Sequence, residues 1–355
     1  MALALLLTAG CAHLPESALP RRGLNAAPEV RVDPDTGRHS LEIDVLTYNV
    51  EGLPWPLRSG RRRALARIGA ELGAMRARGE APHIVLIQEG FIGATGELIA
   101  ASGYANAIAG PDRHQRPPPT PELSDRAFRE AGRRSRGERL GKWWHGGLYL
   151  LSDFPVREHW VWPFRHCAGF DCLANKGVQF ARLEVPGLPV PLQVFNLHLN
   201  SRGASGERLE RTNPAHRLQV DELDYFLERV YHPDLPLVFG GDFNTRRSSE
   251  RFGHLEARHP FPIVRHYCAV TVDDCEVRMS FDGDEPWLDT QDLIGFQSGA
   301  GVELRPIRVE AVLDQPANGG TLSDHDGYRV RFRFSWHEPP SPGRGAAPGK
   351  ACAPR

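Results

Sequence analysis

The chain has 355 residues, 41% hydrophobic and 25% charged, with a formal net charge of −1. That suits one large globular unit, or two small ones, with a real apolar core. It excludes a global field that gathers nucleic acid, though not a local basic patch, and no internal stretch approaches the length of a membrane-spanning helix.

Met1 to Ala9 is short and apolar, and Leu7-Thr8-Ala9-Gly10-Cys11 sets small residues directly before a cysteine. This resembles the cleavage box of bacterial lipoproteins, although the usual basic residue before the apolar run is missing. The expectation is a signal peptide over 1–10, a membrane anchor through lipid on Cys11 and a flexible tether over 11–40. The protein is then expected in a bacterial cell envelope, outside the cytoplasm, on the periplasmic or outer-membrane face. Cys167 with Cys172, and Cys268 with Cys275, are pairs able to close small loops in an oxidising compartment.

Leu41 to Val50 alternates as a strand and delivers Asn49 to a turn. Leu65, Ile68, Leu72 and Met75 recur at helical spacing, with an Arg-rich outer face read as solvated. Ile84 to Gln88 is a continuous apolar run, a buried central strand, and it ends in Glu89. A carboxylate there costs several kcal/mol, in order of magnitude, unless it is paired or bound to a cation.

Residues 110–142 form a polar, arginine-rich insertion with a triple proline, read as a surface loop with a short helix. Trp143, Trp144, Trp160 and Trp162 are expected to pack in the core or at its rim, with contact to a lipid surface as the alternative. Gly146 to Val156 reads as a strand ending in a proline turn, and Lys176 to Leu183 and Leu192 to Asn200 read as strands, the last carrying His198. Asn213 to Leu227 reads as a helix. Leu237-Val238-Phe239-Gly240-Gly241-Asp242-Phe243-Asn244 is a strand running into glycines. Alternation puts Asp242 and Asn244 on one face and packs Phe243 on the other. Asp289 to Phe296 reads as a shorter strand with the acid groups Asp289 and Asp292 at its start, and Ser323-Asp324-His325 precedes the alternating Tyr328 to Phe334. The tail over 337–355 is expected to be disordered.

Separate strand ends thus carry Asn49, Glu89, His198, Asp242 with Asn244, Asp292, and Asp324 with His325. One sheet edge can gather such residues. The donors are oxygen and imidazole without thiolate, which points to Mg²⁺, with Mn²⁺ or Ca²⁺ as alternatives, before zinc. Histidine suits water activation near neutral pH.

Thr47-Tyr48-Asn49-Val50, Gln88-Glu89, Gly147 to Pro155, Leu197-His198-Leu199, Gly241-Asp242-Phe243-Asn244, Asp292-Leu293-Ile294 and Ser323-Asp324-His325 occur in the order of a known family. The chain resembles the endonuclease/exonuclease/phosphatase superfamily from about Leu41 to Trp336. The resemblance implies an α/β fold: a four-layer sandwich of two packed mixed β-sheets flanked by helices, as a catalytic domain over 41–336. It also implies roles. Asn49 and Glu89 match metal ligands, joined by Asp324. Asp242 and Asn244 match residues that orient the nucleophile and hold phosphoryl oxygens. His325 matches the general base with Asp292 behind it, although Asp289 is an alternative partner. His198 matches a phosphate-contacting histidine, and Lys176 is a candidate cation for the substrate. The leading expectation is a monomeric metal-dependent phosphodiesterase acting outside the cytoplasm on a phospholipid such as sphingomyelin. The alternatives are an extracytoplasmic nuclease whose arginine arm tracks a phosphate backbone, an inositol phosphate phosphatase, and an inactive module that binds a phosphorylated ligand.

Overall fold

The computed structural model describes residues 27–118, 125–271, 274–280, 286–313 and 321–337. The expected signal peptide, Cys11, most of the tether, residues 119–124 of the insertion and nearly all of the expected tail lie outside the described residues.

Among the described residues, thirteen strands form two sheets. The eight-stranded sheet holds β1 (Arg31–Val32), β2 (His39–Asn49), β3 (Ile84–Gln88), β4 (Asn106–Ala109), β5 (Tyr149–Ser152), β10 (Glu276–Arg278), β12 (Glu303–Val312) and β13 (Gly327–Trp336). The five-stranded sheet holds β6 (Val156–Pro163), β7 (Gly177–Leu183), β8 (Leu192–His198), β9 (Leu237–Asp242) and β11 (Asp292–Gln297). Both are mixed: β2–β3, β8–β9 and β10–β12 are parallel, and the remaining pairs are antiparallel.

The sheets pack face to face over Ile43, Val45, Leu86, Val194, Val238, Ile294 and Phe332, all shielded from solvent. Helices α1 (Arg61–Ala77) and α2 (Ala94–Ser102) cover the outer face of the larger sheet through Leu65, Ile68, Leu72 and Leu98. Helices α4 (Leu209–Val230) and α5 (Ser249–Arg258) cover the smaller sheet through Val220, Phe226 and Leu255. Two short helices, α3 (Arg126–Glu130) and α6 (Val264–Val270), complete the set among the described residues. The expected α/β sandwich is therefore what the chain forms. Among the described residues no helix is long and apolar enough to cross a membrane.

Several expectations give way to tertiary context. The end of the expected tether folds back, with Arg31 opposite Ser40 in a hairpin whose turn is held by Asp33 Oδ1. Strand β12, a segment for which the sequence raised no expectation, contains Pro306 and pairs along β13 with an irregularity between Pro306 and Arg308. Helix α4 starts at Leu209 rather than Asn213, because Pro214 lies inside it and does not open it. The arginine face of α1 is not wholly solvated. Arg61 turns inward and donates to the carbonyls of Val50 at 2.8 Å, Glu51 at 2.7 Å and Leu322 at 2.5 Å, all outside the strand ladders. The tryptophans also split. Trp162 packs on Tyr225 and Phe226 of α4, whereas Trp143 and Trp160 are 54% and 53% exposed.

On the outer face of β2, buried Asp44 accepts from Arg331 Nε at 2.8 Å and from Arg329. Burial works against its charge, but the two guanidiniums outweigh it and hold the carboxyl below the ordinary carboxylate range. Its stabilisation is then complete above about pH 4 and is lost as pH falls through the depressed value. Asp44→Ala should cost about 3–5 kcal/mol in urea denaturation at pH 7 by stranding the arginines, and the gap to wild type should narrow in acid.

Candidate active site

The parallel pairs bring distant strand ends to one edge. Because β2 and β3 run parallel, Asn49 and Glu89 emerge together. Parallel β8 and β9 set His198 opposite Asp242. Antiparallel β11 begins where β9 ends, with Asp292 also opposite Asp242. Strand β13 runs antiparallel to β2, so the preceding loop brings His325 to the same edge. Lys176 arrives just before β7.

Local geometry makes these turns abrupt. Glu89 adopts a left-handed backbone with φ 57°, which redirects the chain out of β3. Its carbonyl lies so close to Gly52 that a Cβ there would stand 2.4 Å away. The expected alternation of Asp242 and Asn244 is replaced by a turn. Strand β9 stops at Asp242, whose Oδ1 accepts from the backbone N–H of Asn244 at 2.9 Å, and Asn244 sits at φ 52°. Phe243 is fully buried under the smaller sheet, as alternation led one to expect. From α4, buried His216 holds the carbonyl of Phe243 at 2.8 Å and so anchors the turn from behind.

Two sets of side chains face each other across this edge. In the first, His325 Nδ1 lies 2.6 Å from Asp292 Oδ2. Asp292, and not Asp289, is the residue that reaches the imidazole. In the second, His198 Nε2 lies 2.9 Å from Lys176 Nζ, 3.3 Å from Asp242 Oδ2 and 3.8 Å from Glu89 Oε1. Asn49 Nδ2 joins the sheets by donating to Asp242 Oδ2 at 3.1 Å. Asn244 Nδ2 is engaged with the carbonyl of Leu199 at 3.0 Å. Asp324 differs from the rest. It stands at the rim with a side chain 53% exposed, its Oδ1 3.9 Å from His325 Nε2 and its Oδ2 3.9 Å from Arg58.

Three further groups escaped the sequence. Gln291 Nε2 lies 2.7 Å from His325 Nε2. Neighbours on a strand point to opposite faces, which argues against Gln291 joining Asp292, but Gln291 precedes β11 and is free of that rule. Asp171 Oδ2 accepts from Lys176 Nζ at 2.9 Å and from the Ser201 N–H at 2.6 Å. The signal was the cysteine spacing: Cys167 and Cys172 are disulfide-bonded, and the closed loop carries Asp171. Cys268 and Cys275 are bonded as well. His216 lacked any local signal, since its partner is 27 residues away.

Burial, then the charge of Asp292, pushes Asp242 up to about 7, against the pull of His325 and Lys176. Burial raises Glu89 too, with Lys176 and Asn49 opposing it. His198 is held well below the usual histidine value by burial, then by Lys176 and His325. Burial also disfavours a charge on His325, but Asp292, Asp242 and Asp324 prevail and raise it to about 10.

The donor set fits a hard cation. Ligand atoms of Glu89, His198 and Asp242 lie within 4.8 Å of one another, and so do those of Asp242, Asp292 and His325. Asp292 Oδ1 is buried without a hydrogen-bond partner. Several carboxylates crowd around a single lysine, an excess of negative charge that a divalent ion would offset. Asp324 falls outside both groups.

His216 also yields a pH test. Burial, then Arg251, lowers it to about 3 against its bond to Phe243. The unfolded chain takes up that proton near pH 6.5 while the folded chain refuses it, so stability falls between about pH 6.5 and 3, by up to ~1.4 kcal/mol per pH unit. Denaturation at pH 7 and pH 5 should show a steeper loss for wild type than for His216→Gln, which keeps a donor but cannot titrate.

A sequence model described as the Endonuclease/Exonuclease/phosphatase family matches residues 46–344. A protein named sphingomyelinase from Mycobacterium tuberculosis is 24% identical over 308 residues, covering 83% of this chain and 53% of the relative. The chain thus spans about half the length of the curated relatives it matches over most of its own length. A beta toxin variant from Staphylococcus aureus, solved with bound magnesium ions, superposes with a TM-score of 0.58 at 18% identity, over 81% of this chain and 99% of that one. Sphingomyelinase C from Streptomyces griseocarneus gives 0.57 at 20% identity, over 82% and 99%. At these identities the superpositions speak for the fold.

Proposed function

The chain belongs to the endonuclease/exonuclease/phosphatase family, and from that premise we propose that it is a metal-dependent phosphodiesterase acting outside the cytoplasm on a phospholipid such as sphingomyelin. The observation that carries the reading is the His325–Asp292 pair at 2.6 Å, facing the carboxylate cluster across the cleft. The printed name of the mycobacterial relative supports the substrate. Two disulfides support an oxidising compartment. The lipid anchor at Cys11 remains part of the proposal, from the sequence pattern alone.

Hydrolysis requires a water to lose a proton as its oxygen bonds to phosphorus, and the bond from phosphorus to the lipid oxygen to break. His325 takes the water proton at Nε2. Asp292 accepts Nδ1–H, fixes that tautomer and stabilises the imidazolium. Gln291 stands 2.7 Å from Nε2 before substrate arrives and then turns its amide to the incoming water. Lys176 and Asn244 hold phosphoryl oxygens on the far side, with Lys176 steadied by Asp171. Neutral His198 and Asp242, 3.3 Å apart, are the pair that returns a proton to the leaving oxygen. A divalent cation held by Glu89 and Asn49, with Asp324 at the rim, would supply positive charge to the phosphoryl oxygens and offset the field that keeps His325 protonated.

A nuclease is the second reading, on the strength of the arginine arm. The test is a panel of sphingomyelin, plasmid DNA and a nitrophenyl diester, with Mg²⁺ and with chelator. Sphingomyelin turnover that needs the metal is expected. Cleavage of DNA alone, or full activity in chelator, would sink the reading. His325→Ala should lower kcat by roughly 10²–10⁴-fold without lowering the melting temperature. Gln291→Ala should lower kcat roughly tenfold at unchanged KM, as expected for one lost orienting hydrogen bond.

A further inference from the structure

We propose that the chain carries a second, non-catalytic site, a seat for the phosphate of an anionic lipid headgroup, between the arm bearing α3 and the disulfide loop Cys167–Cys172. A cavity of about 450 Å³ opens there, lined by five arginines against two glutamates. Each acid offsets one of the five, which leaves three. Glu130 is taken by Arg126 at 2.6 Å. Glu138 is buried and saturated, accepting from the N–H groups of Arg133 at 2.5 Å and Gly169 at 3.0 Å and from Arg211 Nε at 2.9 Å. The Arg211 guanidinium lies 3.7 Å over the ring of Phe128, which fixes it as one wall. Arg139 and Arg165 spend single donors on the carbonyls of Glu130 and Pro118, and with Arg129 they have no carboxylate partner among the described residues. Unneutralised guanidiniums around one concave space suit a phosphate, which they can grip with paired N–H donors.

The surroundings favour a lipid as the source of that phosphate. Leu140, Trp143 and Phe170 are 43%, 54% and 48% exposed. Leu140 follows Arg139. Trp143 is tied by its N–H to the carbonyl of Leu173, beside Cys172, at 2.7 Å. Phe170 belongs to the disulfide loop and lies against Gly137, where a Cβ would stand 3.1 Å from it. A basic seat whose walls border exposed apolar side chains matches the boundary between headgroups and acyl chains. A free phosphate needs no such border, and a nucleic acid strand asks for an open track rather than one cavity. The loop that walls the seat also carries Asp171, which holds Lys176 on its other face. A headgroup bound there would lie one loop away from the cleft and turn the cleft toward the membrane.

The test reads binding and not turnover, so it stands or falls apart from the hydrolytic reading. Full-length wild type and an Arg129→Ala/Arg139→Ala variant are sedimented with vesicles of phosphatidylcholine, with and without phosphatidylglycerol, in EDTA. Wild type should prefer the anionic vesicles, and the variant should lose roughly tenfold or more of that affinity. Arg129→Lys/Arg139→Lys should keep most of it, and equal melting temperatures should show all three folded. Equal sedimentation of wild type and the alanine variant overturns the seat. Inorganic phosphate that stabilises wild type but not the variant, without any vesicle preference, overturns the lipid assignment. So does variant-sensitive retention of a DNA oligonucleotide in place of vesicles.

Discussion

Asp242 is the carboxylate on which the cleft depends, because it is where the two sheets are tied together. Its Oδ2 accepts from Asn49 of the opposite sheet, and its Oδ1 accepts from the backbone of Asn244. Its neighbours across the ladders are His198 on one side and Asp292 on the other. One buried acid thus links the sheets at the cleft edge, shapes the turn after β9 and sits between both histidine sets. Gly241 makes the approach possible, since a Cβ there would stand 2.1 Å from the carbonyl of Leu197. Its φ of 147° is likewise one that side chains rarely adopt.

Beneath the cleft, the core is not wholly apolar. Gln88 Nε2 donates to Asn196 Oδ1 at 2.7 Å, and Asn196 Nδ2 donates to the carbonyls of Ile87 at 3.1 Å and Tyr149 at 3.0 Å. Thr47 closes the set through Gln88. Apolar contacts tolerate sliding, whereas buried amides lose about 1–3 kcal/mol for each group left unpaired. This seam fixes the register of one sheet on the other, so the strand ends above it meet in one arrangement.

The electrostatics follow from crowding acids at that edge. Burial and mutual repulsion raise Asp242 and Glu89, while His325 absorbs the surplus negative charge and is raised in turn. On the proposed reading, a base held protonated is a resting form. The same field that keeps it so is what makes the cleft attractive to a cation, so occupancy and base strength are coupled through Asp242 and Asp292.

Some of this was legible in the chain itself. Buried Ile84 to Gln88, the alternation of β13 and the Gly-Gly-Asp-Phe-Asn run are local patterns, and local patterns fix strand type and which residues sit at strand ends. Residue chemistry at those ends named Asn49, Glu89, His198, Asp242, Asn244, Asp292 and His325. Tertiary structure decided the rest. It chose Asp292 over Asp289, brought Gln291 to the imidazole and Asp171 to Lys176, left Asp324 at the rim, turned Arg61 inward and gathered the arginines of the arm around one cavity. The physical reason is that a side chain's type and period are properties of its own segment. Its partner is set by strand register, crossovers and loop closure between segments tens to hundreds of residues apart, and no local spacing encodes that.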